Sequence, residues 1–352
     1  MDNEFKFKWI NDNGQETSFM SKKGSFDGKT LRLEDAEIPA AAITFVDTRE
    51  NRMIVAVAQQ EGAPATLVFS MSSGKGAAER LKEGLGKARS HAWAQNHRKE
   101  LNEQGRGHEF REAACPHCQA TINLTGQPET PQVYCEFCHA ITNPNPTGPP
   151  AKAEKEHRLC DECGMYSKPR KFTIFYFYFL LVVYGFSSSS TWRCPACMRP
   201  EAWKMLFGNL LFVLGVPVAI AQLIRAYGGT DVGGPYPGLD AANIKARKGN
   251  VEAAVTDYRK ILAKTPVTAG VKYNLALAFL QREQWDNAMT MLEFCLADCA
   301  NYEPAAQALA GVYEHLGETE KLETLKKRWG VEETEETTEA PMADAADLAS
   351  EE

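Results

Sequence analysis

Residues 115–138 read CPHCQATINLTGQPETPQVYCEFC, and this stretch decides how the middle of the chain folds. It contains two Cys-x-x-Cys pairs, Cys115/Cys118 and Cys135/Cys138, which are separated by 16 residues. This spacing is typical of a zinc ribbon, in which each pair presents two thiolates and all four surround one Zn²⁺ as a tetrahedron. The sequence therefore predicts a four-cysteine zinc site.

The segment between the two pairs predicts two short strands, at 121–124 and 132–134, on either side of a Gly/Pro turn. His117 and His139 adjoin the pairs and could replace a ligand, although four thiolates already complete the site. The alternative is that the cysteines are simply buried. The N-terminus is charged and lacks an apolar signal sequence, so we expect reduced thiols, which favour metal binding over disulfides.

A second set of cysteines, Cys160, Cys163, Cys194 and Cys197, forms two more pairs that are separated by 30 residues. Between them lies an uncharged run, FTIFYFYFLLVVYGF, within a hydrophobic insert at 172–192. If the insert crosses a bilayer, the two pairs lie on opposite faces. If it dips in and returns, all four cysteines can share one zinc, and we favour this because two isolated pairs would be incomplete sites.

The second cysteine set resembles the LITAF-domain family, in which two Cys-x-x-Cys pairs form one zinc knuckle beside a membrane-embedded apolar stretch. The resemblance covers residues 160–197 and rests on the cysteines, on Pro195 and on the apolar run. Trp192 stands where that family usually has a histidine. The resemblance implies one shared zinc next to a membrane-embedded segment.

A further uncharged run, MLFGNLLFVLGVPVAIAQLI at 205–224, has the length of a bilayer-spanning helix and predicts a transmembrane helix at 205–225. Lysine and arginine flank both apolar runs, so their distribution does not decide the orientation. The alternative is that both runs are buried elements of a soluble domain. We expect a membrane protein with its N-terminal domain and first zinc ribbon on the cytoplasmic face, and the side of the C-terminal region stays open.

A 34-residue repeat follows residue 238, and its clearest unit is GNVEAAVTDYRKILAKTP at 249–266. Residues of similar kind recur after 34 positions: Ala254 and Ala288, Tyr258 and Leu292, Ile261 and Cys295, Leu275 and Leu309, Ala276 and Ala310, Phe279 and Tyr313. This pattern resembles the tetratricopeptide repeat (TPR) family, which implies stacked helix pairs and a concave groove for a protein or peptide partner. We expect Cys295 and Cys299, one turn apart, to be small buried residues rather than a metal or redox pair.

The N-terminal region alternates apolar and polar residues over 4–70, with turn signals between the runs, and a helix is predicted at about 75–103. Several antiparallel strands followed by one helix resemble the pleckstrin-homology (PH) superfold in order and length. The resemblance implies an N-terminal antiparallel β domain with a C-terminal helix.

The fold class is therefore a multidomain chain: a PH-like β domain, a small zinc ribbon, membrane segments and an α-helical TPR solenoid. The formal net charge is −7, but nine of the 46 acidic residues lie in the last 22 positions, so the rest of the chain is nearly neutral. The predicted domains are 1–104 (PH-like), 112–142 (zinc ribbon), 143–156 (Pro-rich linker), 157–204 (second zinc module with the insert 172–192), 205–225 (transmembrane helix), 226–238 (Gly/Pro linker), 239–330 (three TPR-like repeats) and 331–352 (disordered acidic tail).

The pattern favours a non-enzymatic, membrane-anchored adaptor with two structural zinc ions. Its expected partners are a protein or peptide in the TPR groove within 239–330 and membrane lipid at the hydrophobic segments. No catalytic residues are predicted, because the usual phosphate-loop, nucleophile-elbow and metalloprotease motifs are absent from the sequence. Two alternatives stay open: a zinc-ribbon nucleic-acid-binding protein, which the near-neutral charge disfavours, and a Cys-x-x-Cys thiol oxidoreductase.

Overall fold

A computed structural model describes residues 3–11, 13–49, 51–59, 63–72, 76–144, 156–180, 183–210, 215–228 and 235–329. The predicted acidic tail at 331–352 lies outside the described residues, as do most of the linker at 143–156 and part of the linker at 226–238.

The N-terminal region forms one antiparallel sheet of seven strands in the order β4-β3-β2-β1-β7-β6-β5. The strands are β1 (Asn3–Trp9), β2 (Lys22–Phe26), β3 (Thr30–Leu33), β4 (Ala36–Pro39), β5 (Ile43–Arg49), β6 (Arg52–Val57) and β7 (Ala65–Met71). A 27-residue helix, α1 (Ala77–Glu103), follows and places Leu81 and Leu85 in the core of the sheet. The predicted N-terminal β region is confirmed, and its likeness to the PH superfold stays a prediction.

Four short strands surround the first two cysteine pairs: β8 (Glu112–Ala114), β9 (Thr121–Asn123), β10 (Val133–Tyr134) and β11 (Ile141–Thr142). The two strands expected between the pairs exist, but they do not pair with each other. Strand β9 pairs with β8, and β10 pairs with β11. Each Cys-x-x-Cys turn therefore closes its own small hairpin.

The second module begins with a similar hairpin, β12 (Arg158–Leu159) and β13 (Tyr166–Ser167). The predicted hydrophobic insert then forms a long antiparallel hairpin of β14 (Arg170–Leu180) and β15 (Val183–Arg193), in which Arg170 pairs with Arg193. The insert is thus not a helix, and the hairpin returns the chain to its starting point. This return brings the Cys194 pair back to the Cys160 pair.

The prediction of a transmembrane helix at 205–225 is wrong. The run is divided between α2 (Pro195–Asn209) and α3 (Val216–Tyr227), and a 12-residue helix is only about 18 Å long. Within the described ranges, no helix combines the length and the apolar character needed to cross a membrane. The expected membrane localisation, with the N-terminal domain and first ribbon on its cytoplasmic face, is therefore withdrawn. The expected lipid contacts of the hydrophobic segments stay a prediction.

Six helices occupy 239–328: α4 (Leu239–Arg247), α5 (Val251–Lys264), α6 (Ala269–Leu280), α7 (Trp285–Asp298), α8 (Glu303–Leu316) and α9 (Thr319–Arg328). Several residues 34 positions apart in these helices are buried to the same extent. Ala254 and Ala288 are both fully buried, and so are Tyr258 and Leu292 at the next equivalent positions. The predicted helical C-terminal region is confirmed, because equivalent positions fill one continuous core.

Candidate metal centres

The first four cysteines form a compact cluster of sulfur atoms. The Sγ atoms of Cys115 and Cys138 lie 3.7 Å apart, and those of Cys118 and Cys135 lie 3.6 Å apart. All four Sγ atoms lie within 4.8 Å of one another. A disulfide would need about 2.05 Å, whereas a tetrahedral site with Zn–S bonds of 2.3 Å separates its sulfurs by about 3.8 Å. The spacing therefore fits a zinc ion and excludes disulfides.

The second four cysteines form an equivalent cluster. The Sγ atoms of Cys160 and Cys197 lie 3.9 Å apart, and those of Cys163 and Cys194 lie 3.8 Å apart. These four atoms also lie within 4.8 Å of one another. The long β14–β15 hairpin thus closes the 30-residue gap that made this site ambiguous in the sequence.

Three of the cysteine pairs lie in the same type of backbone turn. The amide of Cys115 donates to Ala120 O, and the amide of Gln119 donates back to Cys115 O. The corresponding bonds recur around Cys135, where His139 donates, and around Cys160, where Gly164 donates. The donating residue has a positive φ of about 60° each time: 60° at Gln119, 58° at His139 and 65° at Gly164. We call these three turns the zinc knuckles.

The fourth pair lies at the start of a helix instead. Cys194 directly precedes α2, and Cys197 lies in its first turn. The amide of Cys194 also donates to Cys160 Sγ at 3.2 Å. The positive end of the helix dipole favours negative charge at this position, so it stabilises these thiolates.

The electrostatics of both clusters favour a bound cation. Hydrogen bonds among the four thiols lower the pKa of Cys115 and Cys160, and they raise the pKa of Cys135 and Cys194. Four thiolates whose sulfurs lie within 4.8 Å would repel one another, and a divalent metal offsets that negative charge.

The two clusters contain cysteine sulfurs alone. Nδ1 of His139 lies 2.7 Å from the hydroxyl of Tyr134, so this histidine has another partner. Cys295 and Cys299 are fully buried and belong to neither cluster. Burial raises the pKa of both thiols, and Cys295 Sγ lies 3.2 Å from Ala269 O. They behave as small core residues.

The first cluster contacts the N-terminal helix α1. The amide of Thr121 donates to Ser90 Oγ at 2.9 Å, and the guanidinium of Arg89 lies over the ring of Phe137 at 5.1 Å. A β-carbon on Gly86 would lie 3.5 Å from the Phe137 ring, so α1 and the second knuckle are in van der Waals contact there. The first metal centre is thereby joined to the β domain.

On the opposite side, the knuckles pack on the repeats through asparagine side chains. Asn274 accepts from the Tyr166 amide at 2.7 Å and donates to Tyr166 O at 2.6 Å. Asn301 accepts from the Tyr134 amide at 2.9 Å and donates to Tyr134 O at 2.7 Å. Both tyrosines belong to the same hydrophobic core as the repeat helices.

These asparagines are contact residues that the sequence prediction missed. The sequence offers one signal, because Asn274 is a polar residue inside the apolar sequence of α6, and the structure buries it fully. We call the surface made by α4, α6 and the loop 299–302 the docking face, since it carries Asn243, Asn274 and Asn301.

Comparisons with known proteins add little. No family model matches the chain, and no curated protein matches it at a significant level. Among solved structures, a crystal structure of MamA aligns with 38% of this chain and 75% of that chain, at 15% identity and a TM-score of 0.25. A human IFIT1 dimer with PPP-AAAA aligns with 38% of this chain but 32% of that chain, at 19% identity and a TM-score of 0.27. TM-scores this low do not establish a shared fold. The evidence for the repeats is therefore the burial of equivalent residues 34 positions apart.

A site closed by four thiolates leaves no coordination position for water or substrate. Such a site stabilises a fold and does not activate a water molecule. The arrangement is therefore suited to a structural metal between packed elements.

Proposed function

We propose that this protein is a non-enzymatic interaction scaffold in which two structural zinc ions, held by the two four-cysteine clusters, join the N-terminal β domain to the repeats. The observation that carries the proposal is the position of the clusters. The knuckle strands and turns contact α1 on one side, through Ser90, and the repeats on the other, through Asn274 and Asn301.

The repeats supply the interaction surface, because stacked helix pairs present an extended face for a protein or peptide partner. The PH-like identity of the N-terminal domain belongs to this proposal as well, and the seven-stranded antiparallel sheet followed by α1 supports it. Of the features that the LITAF resemblance implies, the proposal keeps one: a single zinc site shared by two Cys-x-x-Cys pairs that are distant in the sequence.

The thiol oxidoreductase alternative is less well supported. Each Cys-x-x-Cys pair lies beside a second pair, and five of the eight clustered cysteines are buried. A thioredoxin-like redox pair instead belongs to a βαβ unit, whereas the short strands next to these clusters pair antiparallel.

Native mass spectrometry of the full chain tests the proposal. We expect the mass of two zinc ions per chain, and their removal by a chelator under reducing conditions should make residues 112–210 sensitive to limited proteolysis. Restoring zinc should restore the protection. A metal-free chain with the same protease resistance would overturn the proposal.

A further inference from the structure

The docking face binds the knuckles as one β-strand binds another. The carboxamide of Asn274 satisfies both the amide and the carbonyl of Tyr166, and that of Asn301 does the same for Tyr134. In an antiparallel ladder, a facing strand supplies this pair of bonds to one extended residue. The asparagine side chains therefore bind the main chain of an extended segment. Main-chain amide and carbonyl groups are present in almost every sequence, so this contact alone does not select a sequence.

The polar groups of this face are already arranged within the repeats. Asn243 donates to Tyr166 O at 3.0 Å, and its own Oδ1 accepts from the hydroxyl of Tyr258 at 2.7 Å and from Asn274 at 3.0 Å. Asn243 and Asn274 are at most 1% exposed. If Tyr166 left, the bonds among Asn243, Asn274 and Tyr258 would remain, so the carboxamides would stay oriented toward the vacated position. The face is therefore arranged before an occupant binds, which lowers the ordering cost of binding.

The same face selects an aromatic ring. Gly270 of α6 lies directly under the ring of Tyr166, and a β-carbon there would lie 2.3 Å from a ring carbon. The missing side chain creates space for the ring between the helices. The occupant that fits best is thus an extended segment with a tyrosine at its centre.

The present occupant depends on the metal. Strands β12 and β13 have two residues each, and a two-stranded hairpin of this length is not stable alone. Cys160 and Cys163 lie within that hairpin, so the metal that holds the cluster also holds Tyr166 in place. The helices of the repeats, by contrast, contain none of the clustered cysteines.

We propose that the part of the docking face formed by Asn243, Gly270 and Asn274 is a binding site for an extended, tyrosine-containing segment of a partner protein. The chain's own third knuckle, with Tyr166, closes the site while the second zinc centre is loaded, and loss of that zinc opens it. The inference rests on the proposed zinc function. A tethered knuckle competes at an effective concentration of roughly millimolar, and the zinc-loaded knuckle is already folded for binding. Without zinc the hairpin must first become ordered, so the tethered segment competes less well with a partner.

Fluorescence anisotropy of the full chain with a labelled peptide tests the proposal. The probe is residues 160–168 with serine in place of both cysteines, and a second peptide also carries Tyr166→Ala. We expect the zinc-stripped chain to bind the probe at least about tenfold more tightly than the zinc-loaded chain, and the second peptide to bind about tenfold more weakly than the first. The Tyr166→Ala chain, stripped of zinc, should bind the probe most tightly, because its tethered competitor is weakened.

The variant Asn274→Ala should lose probe binding, and the matched change Asn287→Ala, at an exposed asparagine on α7, should not. Equal affinities in the two metal states, or full binding by Asn274→Ala, would overturn the proposal. Far-UV circular dichroism must show that the stripped repeats stay helical, since loss of helicity would contradict a preformed site. The zinc content of the loaded chain separates the two proposals. Fewer than two zinc ions in that sample refutes the zinc function, whereas two ions without metal-dependent binding refutes only this inference.

Discussion

Replacing Gly270 by alanine tests the packing of the second zinc module on the repeats. The new β-carbon would lie 2.3, 2.4 and 2.6 Å from three carbons of the Tyr166 ring. The ring cannot move aside freely, because Tyr166 is 2% exposed and its main chain is bonded to Asn274. Overpacking of this kind costs about 1–3 kcal/mol of folding free energy.

Gly270 is the second residue of α6, so replacing it by alanine gains less than the about 0.5–1 kcal/mol expected in the middle of a helix. We therefore expect Gly270→Ala to lower the free energy of unfolding by about 0.5–3 kcal/mol. The control is Gly311→Ala in α8, which is the first helix of the next pair. A β-carbon on Gly311 meets no atom within 4 Å, so this variant should gain about 0.5–1 kcal/mol.

Urea unfolding of the zinc-loaded chain, followed by circular dichroism, measures the difference between the two variants. Hydrogen exchange adds a local readout, because the Tyr166 amide is bonded to Asn274 and should exchange faster in Gly270→Ala alone. If both variants are equally stable and exchange at the same rate, the close packing of the knuckle on α6 is refuted.

Three further predictions concern the metal centres and their attachment. Cys135→Ser should remove one zinc ion and make 112–142 sensitive to protease, and unchanged zinc content with unchanged cleavage would speak against the first site. Zinc should dissociate as the pH falls, because protons compete for the thiolates and the neighbouring thiols raise the pKa of Cys135. A zinc-indicator dye measures the release, and zinc retention that does not depend on pH would contradict thiolate ligation. Asn301→Ala should cost about 1–3 kcal/mol in thermal or urea unfolding, since it leaves the amide and carbonyl of Tyr134 without their partner, and an unchanged stability would show that this contact contributes nothing.

The spacing of the first two Cys-x-x-Cys pairs was enough to predict the first cluster, because 16 residues is a typical zinc-ribbon interval. The 30-residue gap left the second cluster ambiguous, and it was favoured only because two isolated pairs would be incomplete sites. The cysteine spacing could not predict the strand pairing in the first module. Each Cys-x-x-Cys turn forms its own amide-to-carbonyl bonds, so β9 and β10 pair with strands outside the interval between the cysteine pairs. Local turn geometry therefore decided the pairing there.

The membrane prediction was wrong because an apolar run can be divided between helices that are too short to span a bilayer. The run at 205–224 lies partly in α2 and partly in α3, and each part contains one buried polar residue, Asn209 or Gln222. The two helices pack on Phe172 of the hairpin on one side only. Large apolar side chains of the run are exposed on the other side: Phe207, Leu210, Ile220 and Ile224. Mean hydropathy shows neither where a helix ends nor which of its residues are buried.

The contacts between the knuckles and the repeats lay beyond sequence reasoning. Tyr166 and Asn274 are 108 residues apart, and Tyr134 and Asn301 are 167 apart. The 34-residue repeat could be predicted because similar residues recur at equivalent buried positions. Each asparagine contact occurs only once, so nothing in the sequence pattern identifies its partner.

X-ray absorption at the zinc edge, combined with the zinc content of the full chain, tests the central claim most directly. We predict two zinc ions per chain, each with four sulfur neighbours at about 2.3 Å and no nitrogen or oxygen ligand. Fewer than two ions, or a first shell that mixes sulfur with nitrogen or oxygen, would contradict two closed four-cysteine centres.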